Sequence, residues 1–187
     1  MEVKMKILAI LGSRNPDGQT AKAVKALLAG AEEEGAQAEQ VYLPKMDLEH
    51  CEQAGNDGWG LCIKEGKCSL KDDFALLVDK IRGADAVVFA TPVYFSDLSE
   101  SLRAFLDRLR RTCMHENGKK GIGGKDAVGV CVAGGGGGGA PDCCASLQDI
   151  LAIIGFNVID IIPARRQNLD MKTKVLKIVG KWLVTQK

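Results

Sequence analysis

Two kinds of apolar pattern alternate along this chain of 187 residues. The first is a short block without polar interruption, as at residues 7–11 and 86–90. Such blocks are typical of parallel strands that are buried on both faces. The second is an apolar stripe with helical spacing, in which apolar side chains recur every three or four residues. The clearest stripe follows the first block and consists of Thr20, Val24, Leu27, Leu28 and Ala31.

Together the two patterns predict five strands that alternate with five helices. The predicted strands cover residues 7–11, 38–43, 86–90, 127–133 and 158–162. The helix after the third strand has an apolar face formed by Leu98, Leu102, Phe105, Leu106 and Leu109. Charged residues are expected around its other faces, namely Arg103, Asp107, Arg108 and Arg110. The closing helix is recognised by the stripe Met171, Val175, Ile178, Val179 and Trp182.

Alternating strands and helices with nearly continuous apolar strands indicate an α/β protein with a doubly wound parallel sheet. Five strands favour the strand order 2-1-3-4-5 over the larger dinucleotide fold. We expect a single domain over residues 1–187, because this length suits one hydrophobic core. Residues 44–72 lack both periodicities and form a long excursion from the sheet. Ligands bind such sheets at the carboxyl ends of the strands.

The loop after the first strand, residues 12–20, is a candidate phosphate site. It joins a buried strand to a helix, so its N–H groups and the positive end of the helix dipole converge on one point. Ser13, Gln19 and Thr20 add donors, and Gly18 is counted with them as a candidate binding residue. The loop is not a nucleoside-triphosphate P-loop, because Gln19 stands where that motif has lysine. A terminal phosphomonoester would fit, and the alternative is a plain turn with Thr20 as a helix cap.

Two further loops are predicted to end at the same edge of the sheet. The loop after the third strand contains Pro92, Val93, Tyr94, Phe95 and Ser96. The fourth strand runs into six glycines at 134–139, beginning with Gly134, Gly135 and Gly136. A phosphate at the first loop and a planar ring across the other two would suit FMN, with backbone groups at the ring edge and an aromatic side chain on its face. The alternatives are a hydrophobic plug at residues 94–95 and a flexible connector at 134–139.

Composition narrows the range of partners. The 25 Lys and Arg nearly balance the 24 Asp and Glu, so we expect neither nucleic acid nor a membrane as a partner. No apolar run approaches the roughly 20 residues of a membrane span, and the N-terminus shows no cleavable signal, which predicts a cytoplasmic protein. The seven cysteines are irregularly spaced, so reduced thiols are expected, with Cys143 and Cys144 buried. Neither histidine has metal-ligand spacing, and no metal is expected.

Two stretches resemble one known family. They are the loop with Gly12-Ser13 and Gly18-Gln19-Thr20, and the segment 91–108 with the sequences TPVYFS and LRAFLDR. Over residues 5–165 the chain is similar to the NADPH-dependent FMN reductase and iron-sulfur flavoprotein branch of the flavodoxin-like fold. The resemblance implies bound FMN, NAD(P)H as co-substrate, and a homodimer or homotetramer in which a neighbouring subunit helps to cover the flavin. Arg14 occupies a proline position of the family's loop and is included among the expected FMN-binding residues.

The long excursion is where iron-sulfur members of this branch carry four cysteine ligands. Cys62 and Cys68 keep the last spacing of that motif. The two preceding ligand positions hold Asn56 and Trp59, and Cys51 lies out of register. Because a four-iron cluster requires four ligands, the comparison argues against an iron–sulfur cluster. It leaves open whether the three cysteines have another redox or metal role.

We therefore predict an FMN-dependent NAD(P)H oxidoreductase that passes electrons to a quinone, a flavin or another small-molecule acceptor. No catalytic acid, base or nucleophile is expected from the protein, because the cofactor carries the chemistry. Two alternatives stay open at this point. One is a flavodoxin-type electron carrier, although a neutral chain lacks the acidic docking face of such carriers. The other is a module that binds a different phosphorylated ligand.

Overall fold

In the computed structural model, which describes residues 4–53 and 60–186, the chain forms one parallel sheet with helices on both faces. The strands are β1 (Lys6–Leu11), β2 (Gln37–Tyr42), β3 (Ala86–Pro92), β4 (Asp126–Ala133) and β5 (Asn157–Arg165). Their order is β2-β1-β3-β4-β5, and all neighbouring strands are parallel. The predicted α/β class and strand order are confirmed.

Helices connect successive strands and cover both faces of the sheet. They are α1 (Gln19–Glu33), α2 (Gly60–Glu65), α3 (Phe74–Gly83), α4 (Glu100–Cys113), α5 (Glu116–Lys119), α6 (Ala140–Ile154) and α7 (Leu169–Thr185). The short helices α2 and α5 are not among the predicted elements, and α2 lies inside the excursion that showed no periodicity. Within the described ranges, none of these helices combines the length and apolar character that a membrane span needs.

Two apolar cores fill the space between the sheet and the helices. One lies under α1 and α7, and the other lies under α3, α4 and α6. The predicted stripe of α1 is buried throughout, as is the predicted apolar face of α4. The central strands are buried on both faces, which explains why their sequences show no polar alternation.

The closing helix differs from its sequence pattern. The buried residues of α7 are Leu176, Gly180 and Leu183, whereas most of the stripe by which the helix was recognised is exposed. The helix axes of α1 and α7 approach closely at two glycines. A Cβ on Gly30 would lie 2.0 Å from the carbonyl oxygen of Lys177, and one on Gly180 would lie 1.9 Å from that of Leu27. Between Leu176 and Leu183, backbone contact at Gly180 therefore replaces side-chain packing on the inner face of α7.

Arg108 corrects a second expectation. It was placed on a charged face of α4, but its side chain is 1% exposed and pairs with Asp72, which is 3% exposed. Both guanidinium Nη atoms donate to the Asp72 carboxylate, at 2.6 and 2.8 Å. Nη1 also donates to Glu49 O at 2.7 Å, and the guanidinium lies 4.3 Å from the centre of the Phe74 ring. Arg108 thus fastens both ends of the excursion to α4.

Candidate cofactor site

A cleft of about 440 Å³ opens at the carboxyl ends of β1, β3 and β4. This is within the size range of small-molecule sites and at the edge where the fold predicts a ligand. The cleft is lined by Ser13, Gln19, Thr20, Pro92, Val93, Tyr94, Val132, Ala133 and residues 134–138. The three loops singled out in the sequence therefore meet in one place.

The first wall of the cleft is the loop after β1 and the first turn of α1. Gly18 is the N-cap residue, and no side chain caps this helix end. Among the described residues, the amide groups of Gln19, Thr20 and Ala21 have no protein acceptor. The first turn carries no acidic residue. The positive end of α1 is therefore available to an anion, and a phosphate fits this set of donors.

Gly12 fixes the position of this loop against α4. A Cβ on Gly12 would lie 2.2 Å from Ser99 Oγ and 2.9 Å from Leu102 Cβ. The Gly12 N–H donates to Ala90 O at 2.8 Å, and Ser101 Oγ donates to Gly12 O at 3.2 Å. Glycine is required here for close packing, so the position of the loop is fixed by its contact with α4.

The second wall is the loop after β3, whose tip is a tight turn. Tyr94 and Asp97 exchange two backbone hydrogen bonds of 3.0 and 2.9 Å, and the central residues Phe95 and Ser96 have φ of 49° and 65°. Such conformations cost on the order of 1 kcal/mol each in non-glycine residues. The turn is held by Asp97, which accepts bonds of 2.5 and 2.7 Å from Arg103. Burial would raise the pKa of Asp97, but the ion pair with Arg103 and the hydrogen bonds from the Leu98 N–H and the Ser146 side chain together outweigh burial and lower that pKa.

This turn changes what the second loop can offer a ligand. The Val93 N–H donates to Val132 O at 3.0 Å, the Tyr94 N–H donates to Asp97 O, and Pro92 has no N–H. Residues 92–95 were expected to present backbone N–H and C=O groups to a ring edge, yet the N–H groups of residues 92–94 are absent or already bonded. Pro92, Val93 and Tyr94 all line the cleft, and Tyr94 is 47% exposed.

The third wall is the glycine loop, and its glycines fall into two groups. Gly135, Gly137 and Gly139 have φ of 31°, 78° and 75°, a region that favours glycine. Gly134, Gly136 and Gly138 have no such φ, and a Cβ on any of them would meet no protein atom within 4 Å. Neither conformation nor packing explains the second group, and the backbone at these glycines is open to close approach by a ligand. Among the described residues, the amides of Gly135, Gly136 and Gly138 have no protein acceptor.

Four of the predicted residues do not line the cleft. Arg14 is exposed, and Gly18 acts as the N-cap of α1. The side chain of Phe95 is fully exposed. Ser96 packs against the end of the glycine loop, where a Cβ on Gly139 would lie 2.5 Å from Ser96 Oγ.

A fourth loop, which follows β5, borders the cleft and was missed in the sequence. Gln167 Nε2 donates to Gly135 O at 3.3 Å. A Cβ on Gly137 would lie 2.7 Å from Gln167 Oε1 and 3.3 Å from Arg165 Cδ. The loop is braced by a 2.8 Å bond from Arg165 N to Asn168 Oδ1. Its only sequence signal is its place after a strand, because it contains no glycine and no aromatic residue.

A second groove, of about 420 Å³, lies at the opposite edge of the sheet. Its lining includes Lys6, Gln37, Glu39 and Lys80, at the amino ends of the strands. Lys80 and Glu39 already form an ion pair there, with 2.5 Å between Nζ and Oε1. This groove has neither a helix N-terminus nor a glycine loop, and we assign the cofactor site to the carboxyl edge.

The cysteines are free thiols. Cys143 and Cys144 are buried, as predicted, and lie beside Cys131. Hydrogen bonding to those two thiols, and to a lesser extent burial, raises the pKa of Cys131.

Within residues 4–53 and 60–186, no group of three His, Cys, Asp or Glu side chains is arranged to hold a metal ion. Asn56 and Trp59 lie outside the described residues, so the expectation of no iron–sulfur cluster stays a prediction.

Comparison with known proteins agrees with this geometry. The sequence profile of the NADPH-dependent FMN reductase family matches residues 5–166. An iron-sulfur flavoprotein of Methanocaldococcus jannaschii is 34% identical over 125 residues, which are 67% of this chain and 62% of that protein. The alignment thus covers less than two thirds of that relative's length.

Two solved structures share the fold. An NAD(P)H:quinone oxidoreductase of Methanothermobacter marburgensis superposes with a TM-score of 0.70 at 19% identity, covering 97% of this chain and 96% of that one. A flavodoxin from the domain Archaea gives 0.63 at 13% identity, covering 97% and 98%. The fold is therefore flavodoxin-like. Since the family profile spans most of the sequence, the chain belongs to the NADPH-dependent FMN reductase family.

Proposed function

We propose that this protein binds FMN in the carboxyl-edge cleft and oxidises NAD(P)H, passing the electrons to a quinone, a flavin or another small planar acceptor. The observation that carries the proposal is the set of unsatisfied amides on two sides of one cleft. Those of residues 19–21 suit a phosphate, and those of the glycine loop suit the polar edge of a flavin ring. Family membership supports the same cofactor.

The residues of this chain have binding and orienting roles in the proposed reaction. When bound, FMN supplies the hydride and electron transfer chemistry. The first turn of α1, with Ser13 and Gln19, would anchor the phosphate. The amides of Gly136 and Gly138 would hold the ring edge, and Tyr94 would cover part of the ring and exclude water.

A planar acceptor is favoured by the shape of the cleft. The cleft is open to solvent, and Tyr94 at its rim exposes nearly half of its side chain. A flat ring can stack in such a place without a deep specificity pocket. This geometry supports quinones and flavins over bulky three-dimensional substrates.

The proposal is tested by mixing FMN-loaded protein with NADH or NADPH in the absence of oxygen. We expect the flavin absorption to bleach and to return when a soluble quinone is added. A flavodoxin-type carrier would retain FMN but would not be bleached by either nicotinamide. Protein that retains no FMN would contradict the proposal and favour a different phosphorylated ligand.

The two groups of glycines give a paired prediction. In Gly136→Ala the new methyl group meets no protein atom, so the free energy of unfolding should change by less than about 1 kcal/mol. The affinity for FMN should fall about tenfold, because the methyl group would hold the ring off the backbone. In Gly139→Ala the methyl group would lie 2.7 Å from Ser96 Cα at a φ of 75°, and stability should fall by about 2 kcal/mol.

Urea unfolding without FMN and fluorescence titration with FMN measure the two effects separately. Wild-type affinity in Gly136→Ala would show that the flavin does not approach this part of the loop. Unchanged stability in Gly139→Ala would contradict the packing described for the loop end.

We also propose that the protein works in the cytoplasm with a small molecule, and not a nucleic acid or a membrane, as its partner. All seven cysteines are free, which suits a reducing compartment. The net charge of +1 provides no long-range attraction to polyanions.

A further inference from the structure

The first half of the glycine loop is a tight turn. The Gly137 N–H donates to Gly134 O at 2.9 Å, and the residues between them are Gly135 and Gly136. Gly135 has a φ of 31°, whereas the φ of Gly136 lies outside the positive region. A positive φ at the first central residue alone is the pattern of a type II′ turn. The peptide unit that joins Gly135 to Gly136 is therefore the middle of the turn, and both of these residues are exposed.

This central peptide unit has two accessible orientations. Turns of types I′ and II′ differ mainly by a half-rotation of the central peptide, and the type I′ form has a positive φ at both central residues. Glycine adopts either sign of φ about equally readily. With glycine at both central positions, the turn by itself does not decide whether the Gly136 N–H or the Gly135 carbonyl faces a ligand.

Gln167, in the loop after β5, bonds to this central peptide. Its Nε2 donates to Gly135 O at 3.3 Å. The peptide bond is trans, so the Gly135 carbonyl and the Gly136 N–H point in opposite directions. Holding the carbonyl on the side of Gln167 therefore turns the N–H away from Gln167. Gly135 and Gly136 line the cleft and Gln167 does not, so this orientation leaves the N–H to the cleft.

The position of Gln167 is fixed by its surroundings. Strand β5 pairs with β4 as far as Arg165, and the Arg165 N–H donates to Asn168 Oδ1 at 2.8 Å. A Cβ on Gly137 would lie 2.7 Å from Gln167 Oε1, so the glutamine side chain also packs against the turn. Only the NH₂ group of the glutamine amide can donate to a carbonyl, and the bond to Gly135 O thus fixes which way the amide faces.

We propose that Gln167 is a positioning residue of the FMN site, which keeps the Gly136 N–H turned into the cleft as a donor to the polar edge of the flavin ring. The identity of the ligand rests on the proposed function, whereas the orientation of the peptide does not depend on a ligand. A donor that already faces the cleft needs no reorientation when the flavin binds. Without Gln167, a fraction of the molecules would present the Gly135 carbonyl instead, and the affinity would fall by that fraction.

Two substitutions of Gln167 separate the loss of the donor from the effect of charge. Gln167→Met removes the donor without adding a charge, and the affinity for FMN should fall about three- to tenfold. Gln167→Glu keeps the shape but places an acceptor beside the Gly135 carbonyl, so the peptide should turn over and donate the Gly136 N–H to the new carboxylate. Its affinity for FMN should fall at least about tenfold. Because Gln167 is exposed, neither substitution should lower the urea midpoint of unfolding.

The reduction potential of bound FMN gives a readout that a looser loop would not change. Reduction adds negative charge to the flavin ring, which a donor at the ring edge stabilises and an acceptor does not. In Gln167→Glu the affinity should fall about tenfold further for reduced than for oxidised FMN, which lowers the two-electron midpoint potential by about 30 mV. Gln167→Met should shift the potential in the same direction by a smaller amount. A loop that merely loosened would weaken both forms equally.

Crystal structures of the FMN-free proteins test the orientation of the peptide itself. We expect the Gly135 carbonyl to face position 167 in the wild type and to face away from it in Gln167→Glu. Gln148→Met is the control, because it makes the same change at an exposed site on α6, and it should keep the wild-type affinity and potential.

An unturned peptide in Gln167→Glu would overturn the proposal, and so would wild-type affinity and potential in Gln167→Met. A loss of affinity in Gln167→Glu alone would indicate repulsion between the new charge and the phosphate, and would also overturn it. Wild-type protein that binds no FMN would contradict the proposed function, and the crystal structures would still decide whether Gln167 orients the turn.

Discussion

Replacing Arg108 by methionine is expected to lower the free energy of unfolding by about 3–5 kcal/mol. Methionine keeps much of the side-chain volume but leaves the Asp72 carboxylate, 3% exposed, without its cation. The excursion would also lose the bond from Arg108 to Glu49 O. We therefore expect the segment around residues 47–53 to exchange its amide hydrogens faster as well.

The effect of this change depends on pH, and its sign follows from Asp72. Hydrogen bonding to Arg108 lowers the pKa of Asp72 from 3.8 to about 2. A lowered pKa stabilises the fold above pH 3.8, and the stabilisation is lost as the pH falls from there through about 2. In Arg108→Met the carboxylate is buried without a cation, so its pKa should rise. The stability difference between the two proteins should therefore be largest at neutral pH and shrink in acid.

Urea unfolding at neutral pH and at acid pH measures this prediction. Arg110→Met on the same helix is the matched control, because Arg110 is only half-buried, and it should change stability by less than about 0.5 kcal/mol. Asp72→Asn combined with Arg108→Met should recover part of the loss by removing the unpaired charge. Equal effects of Arg108→Met and Arg110→Met would contradict the buried pair.

Changing Gln19 to glutamate should have opposite effects on folding and on FMN binding. Gln19 is the first residue of α1, whose first turn has no acidic side chain and no side-chain cap. A glutamate there suits the helix dipole and should stabilise the protein by about 0.3–1 kcal/mol. The same charge would repel a bound phosphate, and the affinity for FMN should fall at least about 30-fold.

Gln37→Glu is the control for this charge change. Gln37 is exposed at the start of β2, on the edge of the sheet opposite the cleft. Its replacement should leave FMN affinity unchanged. If Gln19→Glu binds FMN as tightly as the wild type, the phosphate does not sit at the start of α1.

The sheet and its order could be predicted because parallel strands buried on both faces have nearly unbroken apolar sequences. Residues 7–11 and 86–90 are such blocks, and the structure buries both. The stripe of α1 was equally informative, since one side of that helix packs on the sheet. In these elements the apolar positions of the sequence are the positions that pack in the core, so the pattern predicts the burial directly.

The burial of Arg108 and the inner face of α7 could not be predicted from the apolar pattern. Position 108 lies between Phe105 and Leu109 on the buried side of α4, but a charged residue is not expected inside unless its partner is known. The partner, Asp72, is remote in sequence. On α7 the inner face has only two large apolar residues, Leu176 and Leu183, with Gly180 between them allowing close backbone approach to α1. A search for apolar residues at helical spacing therefore finds the outer stripe of α7 and not its inner face.

The candidate site was predicted as a set of loops but not as a set of donors. Glycine content and position after strands were enough to bring residues 13, 19–20, 92–94 and 134–136 together. Which amides are available depends on hydrogen bonds formed only in the fold. The bond from Val93 N to Val132 O is one example, because it removes a donor that the sequence offered. The loop with Gln167 carried no compositional signal.

The central claim, a flavin held by its phosphate in this cleft, is tested most directly by comparing FMN with riboflavin. The two ligands share the ring system and differ in the phosphate. Calorimetric titration of the wild-type protein should give one FMN site per chain, with riboflavin bound at least about 100-fold more weakly, since charge-assisted bonds to the phosphate would be lost. Equal affinities, or no binding of FMN, would contradict the account.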